Sequence, residues 1–234
     1  MKYKEIVYMV LDELKINSDD SFFTEDHIIF LASKYRNFLL KQRYADVRKP
    51  IPDSNYQTIC LDLIKVPAVI GEPCCCGVSL RSKEKIPFFM KIVNPSVYPI
   101  NYYQGNIIFV SRDRMKYVGY NKYMQNIIYA SLGPDNYLYF KSLNPHYLHL
   151  EKIKMTAIFE DPQTITKQQM QCEEDDTTSA CTDVLDTTFP IEDALVPQLI
   201  QLIVEELTKS EYKPEDKINN ASDDLSEAVT NSKS

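Results

Sequence analysis

Apolar residues recur every three to four positions at the start of the chain. Tyr3, Ile6, Val7, Val10 and Leu14 share one face at that spacing, which predicts a helix over 3–15. The polar stretch NSDDS, 17–21, interrupts it. Thr24 is a suitable N-cap, and Glu25 and Asp26 place carboxylates at the positive end of a second helix over 25–44. Ile28, Leu31, Ala32, Tyr35, Phe38 and Leu39 are its expected buried stripe, with Lys41 and Arg43 at the negative end. Two helices and a short polar turn make a helical hairpin.

The period changes after VRKPIPDSN, where proline cannot continue a helix. YQTICLDLIKV, from Tyr56, alternates and is rich in β-formers, so a strand is expected. PFFMKIV, NIIFV, MKYVGY and NIIYASL are further strand candidates. The turn GPDN at 133–136, followed by YLYFKSL, predicts a β-hairpin over 127–141. In KIKMTAIF, Ile153, Met155, Ala157 and Phe159 face one way and Lys152, Lys154 and Thr156 the other, the mark of a half-buried strand. Residues 161–190 are polar and acidic, with room for a partly helical excursion.

FPIEDALVPQLIQLIVEELTKS carries the strongest helical pattern, over about 194–208. Its apolar residues cover more than half the circumference, so it needs partners on more than one side. Leu199, Leu202 and Ile203 are assigned to the chain's own core, and Ile200 and Val204 to a neighbouring subunit. The last residues, KINNASDDLSEAVTNSKS, have too few apolar positions to offset ordering entropy alone. Ile218, Leu225 and Val229 are their candidate anchors on another subunit. The fold class is therefore α+β. It comprises a helical hairpin (1–48), a central region of short, mostly antiparallel strands (49–160), an acidic polar loop (161–190), a C-terminal helix (191–212) and an extended acidic arm (213–234).

Composition narrows the function. The chain has 234 residues, 44% hydrophobic and 25% charged, which suits one or two globular domains. It has 16 Tyr and 10 Phe but no Trp, and only five Gly, which leaves little room for a glycine-rich nucleotide loop. The amphipathic N-terminus does not read as a signal peptide and no apolar run has transmembrane length, so cytosolic synthesis and no membrane partner are expected. The net charge of −7 is unevenly spread. Residues 1–159 hold 21 Lys+Arg against 15 Asp+Glu, a balance of +6, and residues 160–234 hold 5 against 18, a balance of −13. A basic body with an acidic end can attract copies of itself head to tail.

Candidate chemistry is thin. Cys74, Cys75 and Cys76 are consecutive, and Cys60, Cys172 and Cys181 stand apart. Zinc sites use pairs two to four residues apart, so no metal is expected, even with His146 and His149 recruited. Idle thiols without disulfides suit a cytosolic product. His27, His146 and His149 have no nucleophile elbow nearby, and the acidic runs at 173–176 and 222–224 lack calcium-loop spacing. No cofactor is expected. SRDRMKYVGYNKY, 111–123, interleaves Arg112, Arg114, Lys116 and Lys122 with tyrosines, a candidate basic contact surface for a nucleic-acid strand or an acidic neighbour.

Three stretches carry a resemblance. MKYKEIVYMVLDELK with FFTEDHIIFLASKYRNFLLKQRY, NYQTICLDLIKVP, and FPIEDALVPQLIQLIVEEL with PEDKINNASDDL together resemble neck proteins of tailed bacteriophages, most closely the ring or adaptor proteins of crAss-like phages. The resemblance implies a non-enzymatic virion protein, made in the bacterial cytoplasm and placed in the neck. It implies a homo-oligomeric ring, commonly twelve-fold, below the portal and beside other neck and tail proteins, with genomic DNA passing through its channel without sequence-specific binding. The alternatives are a nucleic-acid-binding accessory protein and a cysteine-dependent metal-binding enzyme or regulator.

Overall fold

Tyr3, Ile6, Val7, Val10 and Leu14 are all buried, so the helical pattern at the N-terminus marks a true core face. They lie on α1 (Tyr3–Asn17) of a computed structural model that describes residues 1–17, 23–46, 49–67, 78–91, 94–100, 107–118, 123, 126–169 and 183–210. The second helix, α2 (Glu25–Arg43), starts where Thr24 predicts. Thr24 is extended there, but its side chain makes no capping hydrogen bond. The backbone carbonyl of Thr24 accepts from the amides of His27 and Ile28 instead. The buried stripe of α2 is Ile28, Ile29, Leu31, Ala32, Arg36, Leu39 and Leu40. Phe38, expected inside, is 55% exposed, and Arg36, unexpected there, is fully buried.

The middle of the chain forms one seven-stranded sheet. Its strands are β1 (Gln57–Pro67), β2 (Val78–Ser82), β3 (Ser96–Pro99), β4 (Ile107–Phe109), β5 (Ile128–Leu132), β6 (Leu138–Lys141) and β7 (Lys152–Ala157). Their spatial order is β3-β7-β1-β2-β6-β5-β4. Every pairing is antiparallel except β4 with β5. The two edge strands β3 and β4 also approach each other, so the sheet curls towards closure. Alternation along β1 and β7 puts Ile59, Leu61, Ile153, Met155 and Ala157 into its interior, with Leu80, Ile128, Leu138 and Phe140 from other strands. Asn136 closes the β5–β6 hairpin at φ 64°, a conformation that asparagine tolerates better than most residues.

Two strand candidates fail. The described part of MKYVGY, residues 115–118, is not a strand, because α3 (Arg112–Met115) runs into a turn at 116–118 and buries Met115 alone of that helix. Among its described residues, 87–91, PFFMKIV contributes only an isolated bridge, Phe89 with Phe159. A short helix, α4 (Pro162–Gln169), occupies the start of the acidic loop, and Ile165 from it enters the sheet core.

The helical layer forms a second core. The C-terminal helix α5 (Val196–Ser210), entered through a 3₁₀ turn at Asp193–Leu195, packs against both α1 and α2. The segment before it lies along the start of α1. The Tyr3 amide donates to the Thr187 carbonyl at 3.1 Å, the Phe189 amide donates to the Met1 carbonyl at 2.9 Å, and the Tyr3 and Phe189 rings meet edge to face at 4.8 Å. The Tyr3 hydroxyl is buried without a hydrogen-bond partner, and burial pushes its ionisation well above the ordinary phenol range. Tyr3→Phe is therefore expected to leave stability unchanged or raise it by up to about 1 kcal/mol, read as the denaturation midpoint. A loss of more than about 1 kcal/mol would mean that the hydroxyl has a polar partner after all.

Arg36 joins the two layers. From the middle of α2, its Nη1 donates to the Phe159 carbonyl at 2.9 Å and its Nη2 to the Asn55 carbonyl at 3.0 Å. Its Nε donates to the Pro190 carbonyl, so the chain leaving β7, the turn before β1 and the approach to α5 converge on one guanidinium. Burial lowers its pKa to about 10, which still leaves it charged at neutral pH. Beside it, Glu192 accepts from the Tyr44 hydroxyl at 2.8 Å, and its other oxygen lies 2.8 Å from Arg43 Nε, an ion pair not aligned as a hydrogen bond.

Candidate assembly surface

The proposed interface helix is more deeply embedded than its sequence suggests. Leu199 and Ile203 are wholly buried, as expected. Ile200, assigned to a neighbour, is also buried, because α1 covers that side of α5. Leu202, assigned to the core, is half-buried, and so is Val204. The chain thus meets the broad apolar surface of α5 with two of its own helices. Leu202 and Val204 remain partly exposed. Leu202 shares a groove of about 430 Å³ with the exposed Phe38, ringed by Gln42, Arg43, Gln198, Gln201 and Glu205. On the opposite side of α5, a groove of about 540 Å³ runs along α1 between Met9, Pro197 and Ile200, with Glu5, Glu13 and Asp193 at its rim. Ile218, Leu225 and Val229 lie outside the described residues, as do Lys122 and the run Cys74–Cys76.

A larger groove, about 700 Å³, opens where α2 meets the start of α4. Its walls are aromatic. Phe30 is 61% exposed and Phe88 70% exposed, with Pro87 between the elements. Asp26, Glu160 and Asp161 line it against one cation, Lys34. Its geometry is fixed from below. The Asn37 amide donates to the Glu160 carbonyl at 2.6 Å, the Glu160 amide donates to the Phe88 carbonyl at 2.9 Å, and Lys41 pairs with Glu160 at 3.6 Å. Asp161 accepts from the Gln163 amide at 3.1 Å and the Thr164 hydroxyl at 2.5 Å, so it caps α4. The expected stripe of α2 left out Phe30, which shares its helix face with Asp26, His27, Ser33 and Lys34, and Phe88 belonged to an expected strand. No polar–apolar alternation in PFFM announces this site: Phe89 turns inward to stack edge-on with Phe109 at 6.2 Å and Met90 is buried, while Phe88 stays exposed.

The basic segment is where the sequence put it, in a different conformation. Arg112, Arg114 and Lys116 are exposed on α3 and the turn after it, and Tyr117 is 80% exposed. Asp113 is the one carboxylate among them. The segment is held from beneath by buried Met115, whose carbonyl accepts from Lys141 Nζ at 3.1 Å.

The cysteine expectation needs correction in one place. Cys60, on β1, is disulfide-bonded. A reducing compartment governs whether such a bond persists, not which sulfurs the fold brings together. The other five cysteines lie outside the described residues. His146 and His149 sit on one 3₁₀ turn with their rings 6.3 Å apart. Among the described residues no three His, Cys, Asp or Glu side chains gather as metal ligands. Among the same residues no helix is long and apolar enough to cross a membrane.

The described surface thus carries two grooves with aromatic walls and an exposed basic segment. Comparison with known proteins gives the family. The family model for phage tail ring protein 2 matches residues 5–225. The chain belongs to this family. Ring protein 2 of Bacteroides phage crAss001 is 60% identical to it over 228 residues, which cover 97% of this chain and 100% of that relative. Membership extends the sequence resemblance beyond β1 through the rest of the central region, which added little to it, and makes the chain a ring protein of crAss-like phages.

Proposed function

We propose that the chain is a non-enzymatic structural protein of the virion that closes into a ring in the neck, between portal and tail. The near full-length match to tail ring protein 2 carries this reading. In a ring each subunit presents one surface and receives another, a heterologous contact closed by rotation. Twelve copies would continue the channel from the portal, and genomic DNA would pass through without sequence-specific contacts. Gold-labelled antibody against the native chain should mark purified particles between head and tail. Label on the capsid faces or the tail tip would contradict the placement.

The acidic end has a role in this arrangement. The arm at 213–234 would lie on the basic body of a neighbouring subunit or an adjoining neck protein, with Ile218, Leu225 and Val229 as apolar anchors and Leu202 and Val204 of α5 in the same interface. Three such anchors and exposed ion pairs supply only a few kcal/mol, on the order of 3–6, so the contact would depend on assembly. Deuterium uptake at residues 219–230 is expected to fall by at least ten-fold between the isolated chain and the particle. Equal uptake in the two would remove the arm from the interface.

A second reading rests on the exposed row of Arg112, Arg114 and Lys116 beside Tyr117, which suits a nucleic-acid backbone. Binding of the isolated chain to DNA, weakening steeply with salt, would favour it.

A further inference from the structure

The two halves of a heterologous contact are both present on one chain. We propose that the groove walled by Phe30 and Phe88 receives the basic segment Arg112–Tyr117 of the next copy; this rests on the ring reading above. The groove is built by α2, α4 and the chain leaving β7, whereas α3 packs on β5, so groove and segment occupy different parts of the subunit. Their charges are opposite. Asp26, Glu160 and Asp161 face the groove against Lys34, with Lys41 paired to Glu160 from beside it, and the segment offers Arg112, Arg114 and Lys116 against Asp113.

Their apolar surfaces also match. Phe30 and Phe88 expose most of their rings, and Tyr117 exposes most of its own on the segment. Arginine packs well on an aromatic face, and the interaction strengthens when a partner excludes water. The groove beside α1 is also acidic, but it offers Met9 and Pro197 where the segment would need rings. The chain's own acidic arm is a poor occupant, because like charges meet there. DNA is excluded from the groove for the same reason. Exposed ion pairs are individually weak and salt-sensitive, so a single contact should be short-lived and a closed circle of them stable.

Photo-cross-linking tests the pairing. Full-length chain carrying a benzophenone analogue of phenylalanine in place of Phe88 is mixed with ¹⁵N-labelled wild-type chain, and the sample is illuminated, digested and mapped by mass spectrometry. Phe88 is exposed, so this replacement leaves the core intact. Cross-links to the labelled peptide containing residues 112–117 are expected. Arg112→Glu with Arg114→Glu in the labelled chain should cut their yield at least ten-fold, and Asp26→Lys with Glu160→Lys in the analogue-bearing chain should restore it. Cross-links that land elsewhere, no cross-links, or a yield indifferent to the reversals would overturn the pairing. Electron microscopy of the same sample separates the two readings. Rings with cross-links elsewhere reject this contact and leave the ring reading standing.

Discussion

Replacing Arg36 by methionine is expected to cost the subunit about 3 kcal/mol, the largest loss from any single polar substitution here. Methionine keeps most of the side chain's volume and removes the expense of burying a charge. It also leaves the carbonyls of Phe159, Asn55 and Pro190 facing a thioether that donates nothing. Unsatisfied buried carbonyls cost roughly 1–3 kcal/mol each, and three of them outweigh the relief from the lost charge. Arg36→Lys should also destabilise, because an ammonium group on a linear stem cannot reproduce a fork directed at three separate segments. Denaturant unfolding of the purified chain would show the drop as a lower midpoint. Since the residue joins the helical layer to the chain leaving β7, a broadened transition with a smaller slope is expected as well. A methionine variant within about 0.5 kcal/mol of wild type would mean that those carbonyls find other donors.

The second large effect separates folding from assembly on a single helix. Ile200→Asp is expected to destabilise the subunit by about 3–5 kcal/mol, whereas Val204→Asp should cost under about 1 kcal/mol. Ile200 is 7% exposed and packs where α5 meets α1. An aspartate there loses the apolar contact and sets a carboxylate beside Glu5, Glu13 and Asp193. Val204 is half-buried, so its replacement can turn to solvent. If Val204 lies in the proposed interface, its variant should fold and assemble poorly. Thermal unfolding of the two variants, followed by incorporation into particles, would check both halves. A well-folded Ile200→Asp chain would contradict the packing of α5 between α1 and α2.

These residues also show what the sequence reveals. The stripe of α1 was legible because all five of its apolar positions serve one core. The stripe of α2 was misread at four positions: Phe38 is exposed, and Ile29, Arg36 and Leu40, outside the expected stripe, are buried. Arg36 follows Ala32 by four residues and precedes Leu39 by three, so its spacing marked it as buried, but its charge argued against that reading. Phe38 is apolar, yet it faces a groove. The alternation of β1 and β7 was clear, since each has one face in the sheet interior. Strands β2 and β3 were not. β2 follows the cysteine run with polar Ser79, Arg81 and Ser82, and β3 is four residues ending in Pro99. Their membership comes from pairing with β1, β6 and β7, which no local pattern records. The candidate assembly surface was half legible. Arg112, Arg114 and Lys116 announced themselves by charge. The groove at Phe30 and Phe88 did not, because its walls come from segments some sixty residues apart.

On the proposed function, copies of this chain close into a ring within the particle. A reconstruction of the particle's neck by electron cryomicroscopy, with no symmetry imposed, tests it most directly. The expected result is a closed ring between portal and tail whose repeating density fits the three-helix layer and curled sheet described here, in twelve copies. Density for this fold in isolated copies, in an open helical stack, or nowhere in the particle would contradict it.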